Sequence, residues 1–181
     1  AARAESLMTQ YAGSAAIGHV RYATCGKDDR SYAQPFENHH FNRRQWFTFA
    51  FNGQLANYKE LAEELLSEPD NHLVRQSDTE ILMHEFSSQL AKQASSCMVE
   101  MISSVAKRLD GAYSLAMLNA KGDMLIARDP LGIKPICYAS DGRLFAAASE
   151  SVALLNLGFA REDIQSLESG HAITIVDGDM Q

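Results

Sequence analysis

The sequence predicts an α+β domain in which helices cover antiparallel sheets, and three observations carry that prediction. Gln45 to Phe51, "QWFTFAF", alternates large and small residues with the period of a strand. Between Asn57 and Arg108 the apolar residues recur at helical spacing instead. After Gly111 the chain returns to short apolar runs in pairs, each pair closed on a glycine turn.

In chain order, the first eleven residues read as a short helical piece, and "SAAIGHVRYAT" as a strand of small and β-branched residues. In "QWFTFAF", Phe47, Phe49 and Phe51 share one face, while Thr48 and Ala50 leave the other small enough for close approach. Asn57 followed by Glu60 predicts a helix start before "YKELAEELL", with Leu61 and Leu65 on its apolar stripe. Ser77 and Glu80 repeat that pattern before "EILMHEFSSQLAKQ", whose Ile81, Leu82, Phe86 and Leu90 face inward. A third helix runs from about Met98 to Arg108, with Met101, Ile102 and Val105 buried. "GAYSLAML" and "DMLIARD" form a hairpin around Gly122, and "PICYA" with "RLFAAAS" another around Asp141-Gly142. A short helix at "ESVALLNLG" stops at Gly158, and "HAITIVDGDMQ" reads as a closing strand.

Composition bounds the function. With 181 residues, 46% hydrophobic and 22% charged, the chain suits one domain spanning 1–181 with a sizeable core. A net charge of −7, with no basic cluster beyond Arg43-Arg44, argues against a nucleic-acid partner. No apolar run suggests a membrane span, and the opening residues lack a signal peptide's apolar centre, so a cytoplasmic location is expected. Cys25, Cys97 and Cys137 form neither a disulfide framework nor a zinc-ligand spacing, and the six histidines form no ligand set. No metal and no cofactor are expected.

Several residues admit two readings. Asn52-Gly53 follows the aromatic strand, and the dipeptide is a strong hairpin-turn signal. It is also a pair of neutral donors suited to an oxyanion, with a glycine that permits close approach. Arg21, inside an apolar strand, needs an acidic partner, solvent or an anionic ligand. Asp78 suits a helix start, where the dipole favours a carboxylate, and equally suits a ligand ammonium. Cys25 would lie about 13 Å beyond Arg21 along a regular strand, at ~3.3 Å per residue. Lys27 would lower its pKa, but the nearest histidine, His19, is on the far side of Arg21, so Cys25 reads as a bystander rather than a nucleophile. Cys97 and Cys137 read as small apolar fillers. "RDPLGIKP" reads as a rigid turn in which Arg128 and Asp129 pair locally.

The ordered set "GHVRYAT", "QPF", "NGQLANY", "SDTE", "LDGAYSL", "RDPLGIKP" and "ASESVAL" resembles the class II glutamine amidotransferase domain, and within it the N-terminal domain of the amidophosphoribosyltransferases. The resemblance implies an N-terminal-nucleophile fold, a four-layer α-β-β-α sandwich of two antiparallel sheets. It implies hydrolysis of glutamine by a cysteine at the mature N-terminus, and transfer of the ammonia to an acceptor in a phosphoribosyltransferase-like C-terminal domain. It casts Arg21 as the clamp for the glutamine α-carboxylate, Asn52 and Gly53 as the oxyanion hole, Asp78 as the partner of the ammonium, and Thr24 as a pocket residue. Tyr22 stands as a link to the acceptor domain or as a core residue.

Two departures accompany it. The chain opens at Ala1 without the family's Cys-Gly start, so the nucleophile is expected upstream, and this fragment is expected to be inactive alone. Phe51 stands where many relatives have histidine. As a full protein a homo-oligomer is expected. The alternatives are a non-catalytic glutamine-binding or partner-binding module, and the glutaminase domain of an asparagine synthetase or hexosephosphate aminotransferase type enzyme.

Overall fold

A computed structural model describes residues 5–6, 9–21, 29–92 and 97–181. In chain order the elements are β1 (Phe36–Asn38), β2 (Phe47–Leu55), α1 (Tyr58–Ser67), α2 (Asp78–Lys92), α3 (Met98–Ala106), β3 (Gly111–Asn119) and β4 (Met124–Arg128). There follow β5 (Cys137–Ser140), β6 (Phe145–Ala148), α4 (Ser151–Asn156), β7 (Gln165–Ser166), β8 (Ala172–Val176) and β9 (Asp179–Met180). The strands form a six-stranded sheet ordered β1-β2-β3-β4-β8-β9 and a three-stranded sheet ordered β6-β5-β7. Every pairing is antiparallel.

Side-chain alternation stacks these sheets into four layers. The odd-numbered face of β2 packs Phe47, Phe49 and Phe51 with Leu115 and Met117 of β3 against Phe86, Leu90, Met101 and Val105 of the helices. Phe86 meets Phe49 and Phe47 edge-on, with centroids 5.3 and 6.2 Å apart. Each buried ring contributes ~2–3 kcal/mol by area. The opposite face of the large sheet presents Ala116, Ile126 and Ile173 to Ile136, Tyr138, Phe145, Ala147 and Leu167 of the small sheet region. The outer face of the small sheet carries Cys137, Ala139, Ala146 and Ala148, covered by Leu154 of α4 and by Phe159. The order helices, sheet, sheet, helix is the α-β-β-α sandwich.

Both expected hairpins are present, β3 with β4 and β5 with β6. Three expectations change. "HAITIVDGDMQ" is a hairpin rather than one strand, because Asp177 and Gly178 take positive φ (52° and 91°) and fold β9 back onto β8. Asn57 makes no cap bond; its amide spans to Arg108 O and the Asp110 N–H, fixing the approach to β3. Among the described residues Ala15–Arg21 joins no ladder, although exposure alternates along it with Ala15, Ile17, His19 and Arg21 on the less exposed side. The alternation records which face meets a core; pairing depends on a neighbour that a sequence pattern does not reveal.

Candidate glutamine site at the end of strand β2

The Asn52-Gly53 dipeptide is not a turn. It continues β2 in register with β3, Asn52 opposite Ser114 and Gly53 opposite Tyr113, and the chain reverses only after Leu55. The glycine is required by closeness instead: a Cβ there would lie 2.3 Å from Ala112 O and 2.7 Å from Tyr113 Cβ. Gly111 across the ladder is equally constrained, its Cβ falling 2.3 Å from Gln54 O.

The alternation of an antiparallel ladder then says where the Gly53 N–H points. Tyr113, its partner, sends its own N–H and C=O to Asp129 on the β4 side, so Gly53 and Tyr113 are a pair that exchange no bonds. The odd residues of β2 therefore turn their backbone groups toward the β1 side. Phe51 does so with a side chain as partner: the Gln34 carboxamide accepts from Phe51 N at 2.6 Å and donates to Phe51 O at 3.0 Å. Leu55 N donates to Asp78 Oδ2 at 2.8 Å. The Gly53 N–H lies on this same edge, between a glutamine-capped and an aspartate-capped residue. Asn52 points the other way, into a cavity of about 440 Å³ between the sheets that it lines with His19, Ser114 and Ala116.

Asp78 opens α2, where the helix dipole favours its charge. Burial pushes its carboxyl up from the usual range, opposed by the Leu55 N–H and its own. The cap itself is made by Ser77, whose Oγ accepts from Glu80 N at 3.3 Å. Glu80 is buried and accepts from Val74 N and Arg75 N, which locks the approach to Asp78. Arg21 Nη1 donates to Asp29 O at 3.3 Å, and its guanidinium lies 5.8 Å from the Tyr32 ring centroid. Tyr32 in turn neighbours Tyr58, whose phenol is pushed up by burial and by Asp78 and Glu80. Arg21 and Asp78 thus belong to one cluster bridged by two tyrosines.

Thr24, Tyr22 and Cys25 lie outside the described residues. Tyr32 and Tyr58 were missed as site candidates, although Tyr58 closes the "NGQLANY" motif and is the signal that was available. Cys137 faces α4, donates to Ala148 O, and burial raises its pKa. Cys97 stands ahead of α3 in the helical layer. Neither lines the cavity beside Asn52. "RDPLGIKP" is rigid, but not through an Arg128–Asp129 pair. The fully buried Asp129 carboxylate accepts from the N–H groups of Tyr113, Leu131, Ile133 and Lys134, and Arg128 donates to Gly132 O, Lys134 O, Leu167 O and Ser166 Oγ. A nine-residue loop of backbone donors is what two opposite charges can each hold separately. Among the described residues no group of three or more His, Cys, Asp or Glu is placed to hold a metal ion, and no helix is long and apolar enough to cross a membrane.

A glutamine amidotransferase domain profile matches residues 19–156. The chain belongs to that family. Its relatives include amidophosphoribosyltransferases of Escherichia coli, 34% identical over 94% of this chain and 35% of the relative, and of Methanocaldococcus jannaschii, 37% identical over 93% and 34%. Among solved structures, a glutamine phosphoribosylpyrophosphate amidotransferase from B. subtilis, complexed with ADP and GMP, superposes with a TM-score of 0.71 at 27% identity, covering 90% of this chain and 33% of that one. A structure described as the allosteric regulatory enzyme of purine biosynthesis gives 0.73 at 28%, with the same coverage. These neighbours carry the N-terminal-nucleophile fold, and the two-sheet sandwich described above agrees with it. The chain spans about a third of the length of the curated relatives it matches.

Proposed function

We propose that this chain is the glutamine-hydrolysing part of an amidophosphoribosyltransferase, which releases ammonia from glutamine for an acceptor bound by a phosphoribosyltransferase-like domain. The observation that carries the proposal is the end of β2. Two residues in sequence offer an amide side chain and a backbone N–H, and the next residue but one is bonded to Asp78.

In this reading Asp78 takes the α-ammonium of glutamine, with one oxygen already fixed by Leu55 N–H and the remaining lone pairs for the ligand. Arg21 takes the α-carboxylate, for which a planar fork of donors is suited. The carboxamide carbon is attacked by a thiolate, its π electrons moving to oxygen, and that oxyanion is met by Asn52 Nδ2 and Gly53 N–H. Collapse expels the nitrogen as ammonia after it gains a proton, leaving a thioester that water hydrolyses to glutamate. Neither Cys97 nor Cys137 supplies the thiol; the family's N-terminal cysteine, with its own α-amine as base, does. Removing one such oxyanion donor costs about 10²–10³-fold in kcat. Association of the complete protein into a homo-oligomer belongs to the same proposal.

The test is release of glutamate from glutamine by the complete gene product. Turnover that falls ~10²-fold or more in Asn52→Ala supports the reading. Calorimetric glutamine binding without any turnover would replace it with a sensor.

A further inference from the structure

We infer that Ser114 is a positioning residue that orients the Asn52 amide, an inference that rests on the oxyanion role given to Asn52 above. Ser114 is opposite Asn52 in the β2–β3 register, so both side chains stand on the inter-sheet face, and both line the same cavity. They form one of the pairs that exchange backbone bonds, with Cα atoms typically about 5.5 Å apart, within reach of an Oγ–H to Oδ1 hydrogen bond. Ser114 is only 4% exposed, and among the described residues no partner is assigned to its hydroxyl.

Its surroundings decide the direction of that bond. Along the same face lie Ala50, Ala116 and Ile126, which offer no side-chain acceptor. The next residue in the row, Arg128 opposite Ser114 on β4, is a donor engaged by Gly132, Lys134, Ser166 and Leu167. The acceptor that the register puts beside the Ser114 proton is Asn52 Oδ1. An asparagine amide has two orientations that exchange its oxygen and nitrogen. Donation to Oδ1 selects the one that turns Nδ2 away from Ser114, toward the mouth of the cavity, where an oxyanion needs a donor already in place. A small β3 residue would fill the position equally well, as the neighbouring alanines do; the hydroxyl is what adds orientation.

The experiment is a double-mutant cycle on the complete gene product, with glutamine as substrate. Ser114→Ala is expected to lower kcat about 3- to 10-fold with KM unchanged, the worth of one hydrogen bond, and Ser114→Thr to restore it. In an Asn52→Ala background, Ser114→Ala should cost nothing more. An equal loss in that background, or no loss in the wild type, overturns the inference. If Asn52→Ala itself leaves kcat unchanged, the oxyanion reading fails, and NMR of the Asn52 side-chain amide in this chain decides Ser114 separately. A shift of the Nδ2 protons in Ser114→Ala upholds the hydrogen bond, and unchanged resonances refute it.

Discussion

At Gly53 one missing methyl group decides both fold and chemistry. Gly53→Ala would drive a Cβ to 2.3 Å from a backbone oxygen that cannot retreat without breaking the β2–β3 ladder. The variant should lose ~2 kcal/mol or more of stability, read by denaturant titration, and its glutamine turnover with it. Asp78 separates the two properties. Burial raises its carboxyl, so the folded protein holds that proton to higher pH than the unfolded chain, and stability falls as pH rises through the window between the two values. Asp78→Asn keeps an acceptor for Leu55 N–H without the charge, and is therefore expected to melt no lower than wild type at pH 7 while glutamine binding disappears in calorimetry. Asp129 has the opposite sign. Burial raises its pKa, but four backbone N–H groups outweigh that and hold it below the usual carboxylate range. Its stabilisation is complete above ~3.9 and is lost as pH falls through the lowered folded value. Melting temperature followed into acid should drop more steeply for wild type than for Asp129→Asn, which starts lower.

Single elements show what was legible in the sequence and what was not. The alternation of Phe47, Phe49 and Phe51 and the helical spacing of Ile81, Phe86 and Leu90 fixed element types because burial itself has those periods. The Asp141-Gly142 turn was legible because its geometry is local: Gly142 takes φ +82° and Asp141 Oδ1 accepts from Arg143 N and Leu144 N. The same dipeptide at Asp177-Gly178 was passed over in a short terminal run, and Asn52-Gly53 gave the same kind of signal for a different reason, close strand approach without positive φ. Long-range partners were not legible at all. Gln34 serves Phe51, 17 residues away, as a one-residue strand, and nothing local marks it. Gln34→Ala should cost about 1–3 kcal/mol in denaturant unfolding by orphaning both groups of Phe51, and should lower glutamine turnover by loosening the edge on which Gly53 lies.

For the whole molecule, the sandwich brings three stretches that are distant in sequence to one end of β2: the segment through His19 and Arg21, the Asn52-Gly53 pair, and the start of α2 at Asp78. The chemistry of these groups was legible as residue types, a fork of donors, two neutral donors and a carboxylate; their meeting was legible only through resemblance, because it is made by sheet register and by a carboxylate reaching 23 residues back to Leu55. The central claim is that this meeting binds glutamine by its α-groups. It is tested most directly by the KM for glutamine of the complete gene product, measured for wild type and Arg21→Ala side by side. Loss of a charge-assisted contact to the α-carboxylate, worth about 1.5–3 kcal/mol, predicts a rise of roughly 10- to 150-fold. A KM unchanged by Arg21→Ala, in a variant that melts like wild type, would contradict the account.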